Sequence, residues 1–385
     1  MQFVTSLHGE AGLKTKTWLV ELEGLRGLAA LWVFSMHVSL LSGTKIPIVS
    51  QGAFGVDLFI LLSGFLMVHQ FEQRKETQKW SDTKTIGRFW VRRFFRIVPL
   101  YYLLLTTALV FDPLLQWSRL SIGGHYPATL TNGLRYSDRS LANVLTHFSF
   151  IFGLLPHFAF QTPLPDWSIG LEMQFYLVFP FLMLIAARLG YVWMAAGTLV
   201  LDAAAYFVFH NFYGSFPMPS FLPLKMHMFL LGMLIAAAFH KNLRKGIVLL
   251  PLIPLFSLVV VEHARKVDVP VDILLAGILF AITQNSSRIE FALIPLKKLL
   301  NNWLSQRLGD ISYSLYLAHL LFVLPVNALL LRMPWVASLP NWPRYGVVLG
   351  ANSLVVFPVA IVLYRTVEKP GIAFGKKVLA RTIDC

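Results

Sequence analysis

Residues 21–42 read ELEGLRGLAALWVFSMHVSLLS, and from Gly24 onward only Arg26 and His37 are ionisable. A run of about 20 mainly apolar residues is the length an α-helix needs to cross a bilayer. Arg26 and His37 stand eleven positions apart, about three turns plus 20° of helix. They therefore share one face, about 16 Å apart along the axis. Alone, Arg26 reads as a helix-end residue that snorkels to the interface. His37 alone reads equally well as a satisfied structural histidine. An ionisable side chain at the centre of a span costs about 3 kcal/mol, so two of them on one face point to a cavity or a function.

Apolar stretches of this kind recur to the C-terminus. After 24–42, candidate spans fall at 53–71, 94–112, 168–187, 191–210, 221–239, 246–261, 270–285, 311–331 and 344–365. The fold expected is all-α, a polytopic transmembrane helical bundle of about ten spans. Composition agrees: 56% of the 385 residues are hydrophobic and 14% charged, with a mean hydropathy of +0.63. Soluble domains carry about 25% charged residues, so this chain could not cover a soluble surface. A signal peptide does not explain a pattern that continues along the whole chain. The stretch 142–158 is apolar but short and holds His147 and His157. It is compatible with an interfacial segment, a re-entrant segment or an eleventh span.

The net charge of +14 resides in short loops, with no basic domain to hold nucleic acid. In a membrane chain such loops report topology. With ten spans, Lys and Arg outside the membrane favour the side of both termini about threefold. Both termini are then expected in the cytoplasm, and the bias argues against 142–158 as a full span. This divides the chain into a cytoplasmic segment 1–23, a transmembrane domain 24–366 and a cytoplasmic tail 367–385. The long outer segment, about 113–166, is the only loop large enough to cap a site. A single cysteine, Cys385, excludes a disulfide framework, and the scattered histidines lack metal-ligand spacing.

Other spans add polar groups at helical spacing. GVDLFILLSGF at 55–65 carries Asp57 near the outer surface, and Ser63 and Gly64 that admit a close neighbour. Arg92, Arg93 and Arg96 open the third span. They read either as a topology-setting cluster or as guanidinium forks for phosphate. Asp166-Trp167-Ser168 leads into a helix on which Ser168, Glu172 and Tyr176 stand four apart, on one face. Ser312, Tyr316 and His319 share another face. Lys225 and His227 lie near the outer end of the sixth span. The expected layering puts arginines at the cytoplasmic mouth, hydroxyls in the middle, and His, Glu and Asp outside.

Taken together, these segments resemble the acyltransferase-3 family of integral membrane acyltransferases. Arg26 and His37 match its Arg, ten residues, His signature. Residues 55–65 match its second-helix motif, and Arg93-Phe-Phe-Arg96 its Arg-x-x-Arg. Trp167-Ser168 with Glu172 matches Trp-Ser-x-x-x-Glu. Ser312 to His319 and Glu368-Lys369-Pro370 also resemble family sequence. The six matches run in order over roughly 21–370. Lys225 departs from the pattern, where an arginine is expected.

The resemblance implies an O-acyltransferase, located in the cytoplasmic (inner) membrane of a bacterium. It implies acetyl-CoA or another acyl-CoA as donor substrate, no permanently bound cofactor, and an extracytoplasmic carbohydrate as acceptor. Arg26, Arg92, Arg93 and Arg96 would bind the donor's phosphates. His37 would act as general base with Glu172 or Asp57 orienting it. Ser63, Trp167, Ser168, Tyr316 and His319 would line the pore. Membrane lipid is a further partner, and self-association into a homo-oligomer is left open. A secondary transporter for an anionic or sugar substrate is the competing reading, although no pair of matched Gly/Pro-broken spans supports it. A non-catalytic scaffold explains Ser, Tyr and Gly, but not Arg26 and His37 on one face.

Overall fold

The computed structural model describes residues 20–78, 80–241, 253–256, 268–283 and 287–381. Helices α1 (Val20–Leu41), α2 (Ala53–Arg74) and α3 (Thr83–Val110) come first. The long connection between α3 and α6 contributes α4 (Asp112–His125) and α5 (Leu141–Phe148). Then follow α6 (Trp167–Leu189), α7 (Tyr191–Gly214), α8 (Leu222–Lys241) and α9 (Asp268–Thr283). The chain continues through α10 (Ser287–Asn301), α11 (Trp303–Asp310), α12 (Ser312–Leu331), α13 (Asn341–Leu363) and α14 (Lys369–Arg381).

Among the described residues, eight helices are long and apolar enough to cross a membrane: α1, α2, α3, α6, α7, α8, α12 and the α13–α14 run. The protein is an all-α, multi-pass membrane protein. The span expected at 270–285 is the 16-residue α9, about 24 Å long and shorter than the others. The span expected at 246–261 lies outside the described residues except for 253–256. So do Lys14, Lys16, Lys79, Arg244, Lys245, Arg265, Lys266 and Cys385.

The stretch 142–158 is not a full span. It forms the eight-residue α5, a turn, and a short 3-10 segment at Ile151–Leu154. Asn143 and His147 point inward, whereas Leu141 and Leu145 are exposed. That inverted amphipathicity suits a helix lying in the membrane interface. Tyr102 on α3 donates to the Phe148 carbonyl at 2.6 Å and ties α5 down.

Lipid tails are as apolar as leucine, so hydrophobicity alone does not draw spans together; close packing does. The α2–α8 pair is the most extensive in the molecule. There a Cβ on Gly64 would lie 2.2 Å from the Phe229 carbonyl oxygen, and one on Gly232 2.0 Å from that of Leu61. Each glycine thus admits the partner's backbone. On α1, Gly27 meets Gly309 of α11 in the same way, with a Cβ contact of 2.7 Å to its nitrogen. This seats the Glu23–Arg26 turn against the start of α12.

Candidate functional site

Five helices, α1, α2, α3, α6 and α12, enclose a cavity of about 260 Å³, with Phe229 of α8 closing one wall. Of the residues anticipated from sequence, Arg26, Ser63, Arg93, Arg96, Ser168, Glu172 and Tyr316 line it. Glu23, Gln70, Tyr176 and Tyr313 join them. The stripe of Ser168, Glu172 and Tyr176 on α6 is therefore a true cavity wall.

One end is charged and compensated. Arg26 donates to Glu23 at 3.1 Å. Arg96 lies 3.6 Å from Glu368, whose other oxygen accepts from Ser314 at 2.7 Å. Glu368 belongs to a π-helical segment, Tyr364–Glu368, between α13 and α14, and is 1% exposed. Extra residues of this kind inside helices are frequent at functional sites. Arg93 donates to Gln70, and its guanidinium lies over Phe89 and Tyr176 at 5.5 and 5.4 Å. Glu172 accepts from Ser63 at 3.2 Å and from Tyr176.

Further along, Ser168 and Tyr316 hydroxyls lie 2.7 Å apart, and Tyr316 donates to the Pro165 carbonyl at 3.0 Å. A carbonyl only accepts, so Tyr316 spends its proton there and Ser168 donates to Tyr316. The Pro165 carbonyl is itself positioned by Arg135, which bonds the Thr162 carbonyl at 2.7 Å and those of Pro163 and Leu164. Asp166, just ahead of α6, accepts from Thr162 at 2.8 Å and is 2% exposed. Burial pushes its carboxyl up, and His147, 3.8 Å away, opposes this. The connection between α3 and α6 thus holds the start of α6 in place.

Beyond Tyr316, outside the cavity lining, two histidines meet. His37 Nδ1 lies 3.0 Å from the Val33 carbonyl and 3.0 Å from His319 Nε2. His319 Nδ1 lies 2.6 Å from the Tyr316 carbonyl. Both carbonyls must accept, so each Nδ1 carries a proton, and the single His37 Nδ1 proton is shared between the Val33 carbonyl and His319 Nε2. This leaves His37 Nε2 with a free lone pair. His37 is half-buried and His319 fully buried. The expected carboxylate partner of His37 is not the one observed: His319 takes that place. Glu172 is engaged by Ser63 and Tyr176, and Asp57 forms an ion pair with Lys225 at 2.6 Å.

Arg92, Trp167, His37, Asp57 and His319 are not among the lining residues; Trp167 packs against the core, and His319, expected in the pore wall, is fully buried behind Tyr316. The sequence reading assigned no site role to Glu368, Tyr176, Gln70 or Ser314. Only the Glu368-Lys369-Pro370 match and the α6 stripe hinted at the first two.

A multi-pass helical bundle whose half-buried arginines and hydroxyls line one cavity, with a histidine pair packed behind its Tyr316 wall, is the framework of a membrane-embedded acyl-group transferase. The chain belongs to the acyltransferase-3 family: the profile of its Acyltransferase domain matches residues 19–365. Among relatives, the peptidoglycan O-acetyltransferase OatA of Listeria monocytogenes is 28% identical over 179 residues, 44% of this chain and 25% of that protein. The acyltransferase MdmB of Streptomyces mycarofaciens is 28% identical over 258 residues, 59% of each chain. The O-acetyltransferase OatA of Staphylococcus aureus is 26% identical over 174 residues, 42% of this chain and 24% of that one. The chain thus spans about a quarter of the OatA proteins and about three fifths of MdmB. No solved structure matches.

Proposed function

We propose that this protein transfers an acyl group, foremost acetyl, from acyl-CoA on the cytoplasmic side to a carbohydrate hydroxyl on the far side of a bacterial inner membrane. The observation that carries the reading is the single α1 face with Arg26 beside the cavity at one end and a basic His37 Nε2 at the other. The donor enters from the arginine end with its thioester directed towards the histidines. His37 Nε2 removes the proton as the acceptor oxygen attacks the thioester carbonyl, a task suited to a neutral imidazole. The carbon–sulfur bond breaks, the ester forms, and the leaving thiolate takes up a proton to become the coenzyme A thiol. His319, acting through His37, holds the tautomer that keeps Nε2 basic. The Ser168–Tyr316 pair, with both its protons committed to Tyr316 and the Pro165 carbonyl, fixes the wall between the arginines and the histidines. The names of the relatives favour a cell-wall or other glycan acceptor.

The test is acyl transfer from labelled acetyl-CoA by purified, reconstituted protein, together with NMR of surface glycans from cells carrying wild type or His37→Ala. Labelled ester in wild type and none in a well-inserted His37→Ala supports the proposal. Uptake of label without ester formation would favour transport and reject it.

A further inference from the structure

The arginines of the cavity are already matched. Arg26 pairs with Glu23 and Arg96 with Glu368. Arg93 feels Glu172 through the Tyr176 ring that both contact. Three guanidiniums and three carboxylates leave no net charge for a polyphosphate, which would have to part Glu23 and Glu368 from their arginines to enter.

Immediately outside, the balance differs. Arg92 does not line the cavity, and its charged neighbours are Arg74, Arg93 and Arg88, all cations. Arg74 ends α2, and Arg88 precedes Arg92 by one turn of α3. The three are half-buried. Among the described residues, none of the three has a carboxylate within 4.0 Å or a side-chain hydrogen bond. Like charges held together in partial burial repel, and an anion between them relieves this. Guanidinium forks match phosphate oxygens in pairs. The rim adjoins the cavity because Arg93, which lines it, donates to Gln70, a second lining residue one turn before Arg74 on α2.

We infer that Arg74, Arg88 and Arg92 form the site for the phosphate-bearing end of the donor, outside the cavity, while Arg26, Arg93 and Arg96 face its uncharged arm and thioester. The inference rests on the acyl-CoA reading above. A phospholipid headgroup offers the same chemistry, so the test must separate the two sources.

Wild type, Arg74→Ala and the double variant Arg88→Ala/Arg92→Ala are reconstituted in zwitterionic vesicles and in vesicles containing anionic lipid. Kinetics are measured with acetyl-CoA and with S-acetylpantetheine, which has the arm but no phosphate. Wild type is expected to favour acetyl-CoA in kcat/KM, and each variant to reduce that preference about tenfold, mainly through the KM for acetyl-CoA. The reduction should appear in both kinds of vesicle. Equal losses on the two donors would assign the arginines a structural role and overturn the inference. An effect confined to anionic vesicles would overturn it in favour of lipid. Turnover of both donors by wild type without discrimination sinks the rim alone. Turnover of neither sinks the acyl-CoA reading and the rim with it.

Discussion

The two ends of the α1 face hold polar groups in a membrane by opposite means. Around Arg26 and Arg96, opposite charges meet in pairs drawn from α1, α3 and the π-helical segment before α14. Around His37, neutral imidazoles and backbone carbonyls pass one hydrogen bond to the next. Buried ion pairs are rigid but costly to desolvate, and breaking one is more damaging than replacing it. A neutral imidazole relay avoids that cost and keeps a nitrogen ready to accept a proton. One end holds paired charges, and the other holds neutral imidazoles.

The largest effect is expected from isolating a charge at the first end. Glu368→Ala leaves Arg96 without its partner in a buried setting, and should destabilise the protein by about 3–5 kcal/mol. Thermal unfolding in detergent measures it, and an unchanged midpoint would mean the pair is spectator to the fold. Glu368→Gln should recover part of the loss through the Ser314 hydrogen bond.

At the other end, His37→Ala should leave the unfolding midpoint nearly unchanged and lower turnover by about a thousandfold. A variant that unfolds early instead would place His37 with the structural residues and erase the contrast. Next comes the relay. His319→Ala should lower turnover roughly tenfold to a hundredfold and alter its pH profile, because His37 loses the acceptor that keeps its proton on Nδ1. His319→Gln, whose amide oxygen can accept the same bond, should restore part of both. A rate loss with an unmoved profile would reduce His319 to packing. The smallest change is expected in the middle: Ser168→Ala removes one hydrogen bond to Tyr316, worth about 1 kcal/mol, or roughly fivefold in rate. Steady-state kinetics resolve such a difference, and a loss of a hundredfold would give Ser168 a larger part in the chemistry.

The same contrast separates what was readable in the sequence from what was not. The α1 face was legible because helical spacing is a local rule: eleven residues fix the angle between Arg26 and His37 wherever the helix lies. The α6 stripe of Ser168, Glu172 and Tyr176 was legible for the same reason, and it does line the cavity. Partners across helices were not legible. Asp57 looked available for His37, yet the close α2–α8 packing around Gly64 and Gly232 matches it with Lys225. Lys225, the departure from the family pattern, therefore still supplies a cation at that place. The stretch 142–158 was ambiguous by hydropathy, since a short apolar segment fits several locations. Its inverted faces emerge only when α3 and the chain ahead of α6 pack on it.

By itself the sequence determined a polytopic all-helical chain and the positions of its ionisable residues along each span. Hydropathy and the 3.6-residue period act within one helix and need no neighbour. Tertiary structure alone decided which charges are neutralised, that His319 rather than an acid accepts from His37, and that Glu368 returns from the far end of the chain to meet Arg96. In a bilayer those choices depend on how closely backbones approach, which small residues on separate helices settle together.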